Sequence, residues 1–294
     1  MNENPASLQV IADLLYERTG QHLGQERMWR ISGALSGLFR RYEIDNIEHL
    51  ACLLTTSRAD DLASETVEAL LNNETYFFRD RPSFDALTDQ ALPRIREQRS
   101  AERRLRVWSA GCSSGQELYS LAMAIRSQGE RWRDWRIDLL GTDVSGAVVA
   151  LAQQGRYSQF EVQRGLTVAQ MLAYFHQEGT GWVPQDDLKR MVRFRQHNLL
   201  DPPPAEGPFD IVLCRNVLIY FSQATRAAVF ERLSEAIAAD GLLMLGAGET
   251  SVGQTDRFTP LNDGTGLFQP TGEAQARGRG AALTATVNSR FTKA

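Results

Sequence analysis

The sequence is poor in the residues that build metal sites and disulfide frameworks. Its 294 residues hold three cysteines, Cys52, Cys112 and Cys214, and four histidines, His22, His49, His176 and His197, with no shared ligand spacing. An odd, scattered cysteine set excludes a disulfide scaffold and fits a reducing cytoplasm, and no metal site is expected. No apolar run approaches the ~20 residues of a membrane span. The first residues, Met1-Asn-Glu-Asn-Pro5, lack the basic and then apolar pattern of a signal segment. Basic excess is also missing: 32 Lys and Arg stand against 36 Asp and Glu, a net charge of −4. Nothing pulls such a chain globally toward nucleic acid or acidic lipid. No internal repeat is found.

What is present divides into a helical part and an alternating part. Residues 7 to about 71 show helical spacing only. Met28, Ile31, Leu35, Leu38 and Tyr42 make one apolar stripe, and Leu62, Thr66 and Ala69 belong to a further helix opened by Asp60 and Asp61. Residues 72–104 connect this domain (1–71) to the next. From 105 to 270, apolar strands at 105–110, 137–142, 209–214 and 242–247 alternate with helices at 115–126, 145–153 and 223–238. That pattern predicts a mostly parallel α/β sheet covered on both faces. An insertion of about 180–197 is expected to form a small antiparallel hairpin, with its turn at Val183-Pro-Gln-Asp-Asp187 and Met191-Val-Arg-Phe-Arg as its second strand. The tail, 271–294, is rich in Gly, Ala, Thr and Arg and is expected to be disordered.

The chemistry concentrates at one strand-turn-helix corner. Leu105-Arg-Val-Trp-Ser-Ala-Gly-Cys-Ser-Ser-Gly115-Gln-Glu117 ends an apolar strand in small residues and opens a helix. Small residues let a ligand approach the backbone, and the helix start adds free N–H groups. In open α/β sheets ligands bind beyond the carboxyl ends of the strands. The glycine pattern differs from the G-x-G-x-x-G that cradles a pyrophosphate. It suits an adenosine cofactor with an amino-acid end, such as S-adenosylmethionine. Asp143, closing the second strand, is placed to hold ribose hydroxyls or to cap the helix near Ser145. Glu117 lies in the first turn of its helix, as a dipole partner or an acceptor for an ammonium group. Arg215 and Asn216 follow the strand at 209–214, and Asn198-Leu199 precede Asp201-Pro202. Tyr220 and Phe221 read as core aromatics before catalytic ones. Asn73, Thr75 and Arg79 sit beside Phe77 and Phe78 in a string that either packs a domain seam or covers the cofactor.

Taken in order, Asn73-x-Thr75-x-Phe77-Phe78-Arg79, Val107 to Ser120, Thr142-Asp143, Asn198-Leu199-Leu200 and Phe209 to Phe221 closely resemble the CheR-type chemotaxis receptor methyltransferases. The resemblance covers about residues 7–270. It departs at Gln116 and Leu118, where many members carry Glu and Pro. It implies an N-terminal helical domain before a Rossmann-like S-adenosylmethionine-dependent methyltransferase domain with a small β insertion. It implies transfer of a methyl group to glutamate side chains on the cytoplasmic helical bundle of chemoreceptors, leaving S-adenosylhomocysteine. It assigns cofactor contact to Asn73, Thr75, Arg79, Glu117, Asp143, Asn198, Leu199, Arg215 and Asn216, and places Arg79 and Tyr220 near the methyl transfer. Arg27, Arg30 and Arg41 then form a basic face for docking an acidic receptor bundle, or a solvated helix face. A cytoplasmic monomer is expected. The competing readings are a cofactor-binding signalling module and a methyltransferase with a non-receptor substrate.

Overall fold

The computed structural model describes residues 4–24, 28, 31–56, 60–261 and 266–272. Its amino-terminal part is helical: α1 (Pro5–Thr19), α2 (Ile31–Tyr42), α3 (Ile47–Thr56) and α4 (Asp60–Leu70). Asn4 caps α1 by accepting from the Ala6 N–H, Pro5 sits in the first turn, and Gly20 closes the helix in the left-handed region at φ 73°. Ile11, Ile31, Leu35, Leu50 and Leu62 pack the core of this part. The apolar stripe of α2 stops short of its expected end. Tyr42 is 37% exposed, and its hydroxyl donates to Glu65.

A non-helical segment, 71–80, leads to α5 (Arg81–Ala86), a π turn at Leu87–Ala91 and α6 (Leu92–Gln98). The sheet part then runs β1 (Arg104–Ala110), α7 (Gln116–Ser127), β2 (Arg136–Asp143), α8 (Gly146–Gln154), α9 (Gln159–Gln163) and α10 (Val168–Tyr174). A hairpin, β3 (Phe175–Glu178) and β4 (Gly181–Pro184), precedes α11 (Asp186–Lys189) and β5 (Val192–Gln196). The chain closes with β6 (Phe209–Cys214), α12 (Gln223–Ala236), β7 (Ile237–Leu245), β8 (Phe258–Pro260) and β9 (Leu267–Pro270).

The main sheet has the order β5-β2-β1-β6-β7-β9-β8, parallel from β5 to β7 and antiparallel at β9 and β8. Alternate strand residues feed two cores. Val107, Leu139, Ile211 and Met244 face α7 and the segment before β1, whereas Trp108, Leu140, Val212 and Leu243 face α12. Both faces are covered, as a parallel sheet requires.

The expected hairpin is displaced. The antiparallel pair is Phe175–Glu178 with Gly181–Pro184, turning at Gly179, which holds φ 58°. The Met191-Val-Arg-Phe-Arg stretch instead forms β5 and pairs parallel with β2, Gly141 facing Phe194. Gly141 makes room for that pairing, since a Cβ there would fall 2.6 Å from the Phe194 ring. Residues 273–294, for which disorder is expected, lie outside the described residues, as do Arg27 and Arg30. Among the described residues no helix is long and apolar enough to cross a membrane, and no metal-binding cluster occurs.

Candidate active site

A cleft opens beyond the carboxyl ends of β1, β2 and β6, enclosing about 870 Å³ that communicates with solvent. It is lined by all nine residues to which the resemblance assigns cofactor contact, and by Tyr220. The floor is the β1–α7 turn. Gly111 holds φ 89°, and a Cβ there would fall 2.4 Å from Val217. Glycine is therefore required by both conformation and space. Four non-glycine residues of the cleft region also take left-handed φ: Phe78, Asp80, Ser113 and Asn216, at 52°, 55°, 49° and 60°. Such backbone persists where surrounding bonds over-determine it.

Those bonds are identifiable. Asp143 accepts from the Ser113 N–H at 2.8 Å and from the Ser145 N–H at 3.0 Å, while Ser145 itself caps α8 by accepting from Val148. Burial pushes the Asp143 carboxyl upward, and its two backbone donors oppose that shift. Glu117 accepts from Ser109 Oγ at 2.8 Å and from Arg215 Nη1 at 3.0 Å. Arg215 also donates through Nη2 to the Arg79 carbonyl (2.8 Å) and to Asp80 (3.2 Å). Strand β6 is thereby tied to the turn at Asp80.

The string before α5 both packs into the core and lines the cleft. Phe77 and Phe78 are core residues of the sheet part, Phe77 packing edge-on against Tyr157 and Phe175. It is a non-helical strap, and the rings anchor it in the sheet core rather than in a helix along the domain seam. Asn73, Thr75 and Arg79 face the cleft. The Asn73 carbonyl accepts from Ser113 Oγ at 2.6 Å, and Arg79 Nη1 donates to the Glu74 carbonyl at 2.7 Å. Glu74 is held below the usual carboxylate range by its bond to Arg164, which stacks 4.5 Å from the Tyr76 ring.

The helical part closes the remaining side. Thr19 and Gln21 line the cleft. Gln21 bridges antiparallel to Phe221, and the His22 N–H donates to the Tyr220 carbonyl at 2.7 Å. Asn198 donates to the Arg18 carbonyl and accepts from the Leu200 N–H, so its amide is used by the backbone. Tyr220 is half-buried, with its hydroxyl 2.7 Å from Asn72 Nδ2, while Phe221 is buried in the core. Glu68 of α4 accepts from the Gly146 N–H at 2.7 Å and from Ser145 Oγ, and so caps α8 from the other part of the molecule. Arg41 lies on α2 away from the cleft lining, exposed and paired with Glu65 at 2.6 Å.

Several of these contributors escape the sequence reading. Glu68, Gln21 and Asn72 are polar residues in ordinary helical or loop settings, and no spacing marks them. Glu249, which accepts four backbone N–H groups beneath the Asn216 loop, is a single acid after a strand. Its only sequence signal is that it follows Gly246-Ala-Gly248 at a strand end.

The cleft's chemistry favours a donor-rich ligand. Three acidic residues line it, Glu117, Asp143 and Glu74, the last paired outward with Arg164, and so does Asn216, whose side-chain oxygen is buried without a hydrogen-bond partner. Its lining includes two arginines, and the Arg215 guanidinium is already paired with Glu117 and Asp80. That supply is poor for a pyrophosphate, which calls for several donors and positive charge. It fits a ligand with ribose hydroxyls, an ammonium group and one carboxylate, the groups of S-adenosylmethionine.

Comparison with known proteins agrees in extent and kind. Residues 73–266 match the family model described as CheR methyltransferase, SAM binding domain. The chain is 33% identical over 257 residues to chemotaxis protein methyltransferase 1 of Vibrio cholerae, covering 86% of this chain and 92% of that protein. It is 33% identical over 273 residues to chemotaxis protein methyltransferase 1 of Pseudomonas aeruginosa, covering 91% and 98%. It is 30% identical over 255 residues to the chemotaxis protein methyltransferase of Borreliella burgdorferi, covering 85% and 90%.

Proposed function

This chain belongs to the CheR methyltransferase family and uses S-adenosylmethionine, and from that premise we propose that it esterifies glutamate side chains on the cytoplasmic helical bundle of a chemoreceptor. The observation that carries the proposal is the pairing, in one cleft, of acceptors suited to the cofactor with Arg79, whose guanidinium is not spent on a buried carboxylate. When bound, the cofactor supplies an electrophilic methyl group on a sulfonium centre. Asn73, Thr75, Glu117, Asp143, Asn198, Leu199, Arg215 and Asn216 would hold it, with Asp143 offering remaining acceptor capacity at the end of β2.

A glutamate side chain has an ordinary pKa near 4.3 and arrives at pH 7 as the nucleophilic anion. No general base is required of the protein. Its work is alignment, which can be worth about 7–11 kcal/mol. Arg79 presents a planar fork that matches a carboxylate. We assign it steering of the acceptor, with Tyr220 bounding the reaction space beside it. A tight clamp would lower the anion's nucleophilicity, so the role is orientation. Closure of the cleft by Gln21 and Tyr220 limits water around the two opposite charges, which favours their collapse to neutral products.

In this reading the helical part docks the receptor in the cytoplasm, and Arg41, with Arg27 and Arg30, contributes positive charge toward an acidic bundle. The ion pair with Glu65 reduces what Arg41 alone offers. The test is incubation of the protein with methyl-labelled cofactor and receptor cytoplasmic fragments. Label on the receptor that mild base releases as methanol supports the ester. Base-stable label, or label on another macromolecule only, rules it out.

A further inference from the structure

Glu249 lies outside the cleft lining, yet its carboxylate gathers four backbone N–H groups. Oε2 accepts from Asn216 at 2.7 Å and Gly246 at 2.9 Å, and Oε1 accepts from Val217 at 3.0 Å and Ile219 at 3.2 Å. Successive N–H groups turned toward one point form an anion-binding concavity, and here the chain fills it with its own side chain. Three of the four donors belong to the loop that carries Asn216 and Tyr220. The fourth, Gly246, directly follows β7, so one carboxylate joins the loop after β6 to the end of the neighbouring strand.

The loop needs such a hold. Asn216 stands at φ 60°, a conformation a side-chain-bearing residue keeps when its neighbours impose it. The packing is close: a Cβ on Gly246 would fall 2.7 Å from Glu249 Oε2 and 2.8 Å from the Asn216 N. Asn216 lines the cleft, and with its N–H bound by Glu249 its side-chain oxygen is left buried and without a partner. An unsatisfied buried acceptor is unfavourable until a donor arrives.

We propose that Glu249 is a positioning residue for cofactor binding: its carboxylate locks the left-handed turn at Asn216 and so presents the Asn216 amide oxygen to a donor of the cofactor. This rests on the proposed function, because it assumes that the cleft is the cofactor site. Glu249→Gln keeps the volume but turns an amide NH2 toward two N–H donors, so part of the clamp becomes repulsive. Glu249 acts through Asn216, and the two residues therefore couple.

The experiment is calorimetric titration of S-adenosylhomocysteine into the wild type, Glu249→Gln, Asn216→Ala and the double variant. Glu249→Gln is expected to weaken binding about tenfold, the scale of one charge-assisted hydrogen bond. The double variant is expected to bind no worse than Asn216→Ala alone. Unchanged binding in Glu249→Gln, or losses that add in the double variant, would overturn the inference. Amide exchange on the unliganded wild type supplies a test that does not depend on the variants folding. The Asn216, Val217 and Ile219 amides are expected to be protected, and free exchange there would overturn the clamp. A wild type that binds no S-adenosylhomocysteine while those amides stay protected would overturn the cofactor role together with the proposed function, leaving a loop anchor only.

Discussion

Arg215 Nη1 lies 3.0 Å from Glu117 Oε2, with side-chain exposures of 2% and 14%. The pair joins the end of β6 to the first turn of α7, on either side of the β1–α7 turn. A buried charge that loses its partner typically costs about 3–5 kcal/mol, but the two ends are not equivalent. Removing Glu117 leaves Arg215 with Asp80 and the Arg79 carbonyl, whereas removing Arg215 releases all three contacts. Arg215→Ala is therefore expected to destabilise the fold more than Glu117→Ala, with a loss of about 3 kcal/mol or more. Chemical denaturation of the two variants checks the order.

Glu68 is the acid by which the helical part caps α8. Replacing a helix cap costs about 1 kcal/mol, and Glu68→Ala is expected to lose about that much in a urea titration. Its charge also contributes to raising the Asp143 carboxyl. The variant should lower the Asp143 titration point, which carboxyl-carbon NMR would read directly.

The raised Asp143 carboxyl sets a sign for pH dependence. Burial is the largest cause, so the native state holds this proton more tightly than the unfolded chain does. The group's contribution to stability is complete below the ordinary value of 3.8 and is lost as pH rises through its folded value. Cofactor donors require the ionised form, so affinity moves the other way. Binding of S-adenosylhomocysteine is expected to weaken as pH falls toward that raised value, earlier than an unperturbed carboxylate would cause. Asp143→Asn should remove this part of the profile in titrations run from neutral pH down into the carboxylate range.

The strands and the cofactor corner were legible because they depend on local, repetitive signals. Buried parallel strands read as apolar runs, and the turn at Gly111 needs a residue without a side chain. The hairpin was misplaced for a physical reason. The alternation in Met191-Val-Arg-Phe-Arg is the same whether that stretch pairs with its neighbour in sequence or with β2, and period-2 patterning carries no partner identity. Strands β8 and β9, with three and four residues, are too short to show a period. Glu68 and Glu249 act on backbone N–H groups far away in sequence, so their roles appear only when the fold assembles. Tyr42 continues the α2 stripe in spacing, but the helix ends there and the ring reaches Glu65 and solvent.

A second pH effect has the opposite sign and lies far from the cleft. Arg99 donates to Asp210 at 2.7 Å and to Asp240 at 2.7 Å, and its bond to Asp240 holds that carboxyl below the ordinary 3.8. A depressed acid stabilises the fold above its unfolded value and loses that contribution as pH falls through the folded one. Arg99→Ala is expected to lower the melting temperature at pH 7 and to flatten its decline below pH 4. Parallel melting curves across that range for variant and wild type would contradict it.

The measurement closest to the centre of this account is the titration of S-adenosylhomocysteine into the wild type and into Asp143→Ala, with denaturation midpoints recorded for both. One equivalent saturating the wild type, and a loss of at least tenfold in a folded Asp143→Ala, is the predicted result, about the contribution of one good charge-assisted contact. Equal affinity in the two proteins would contradict the placement of the cofactor at the carboxyl end of β2.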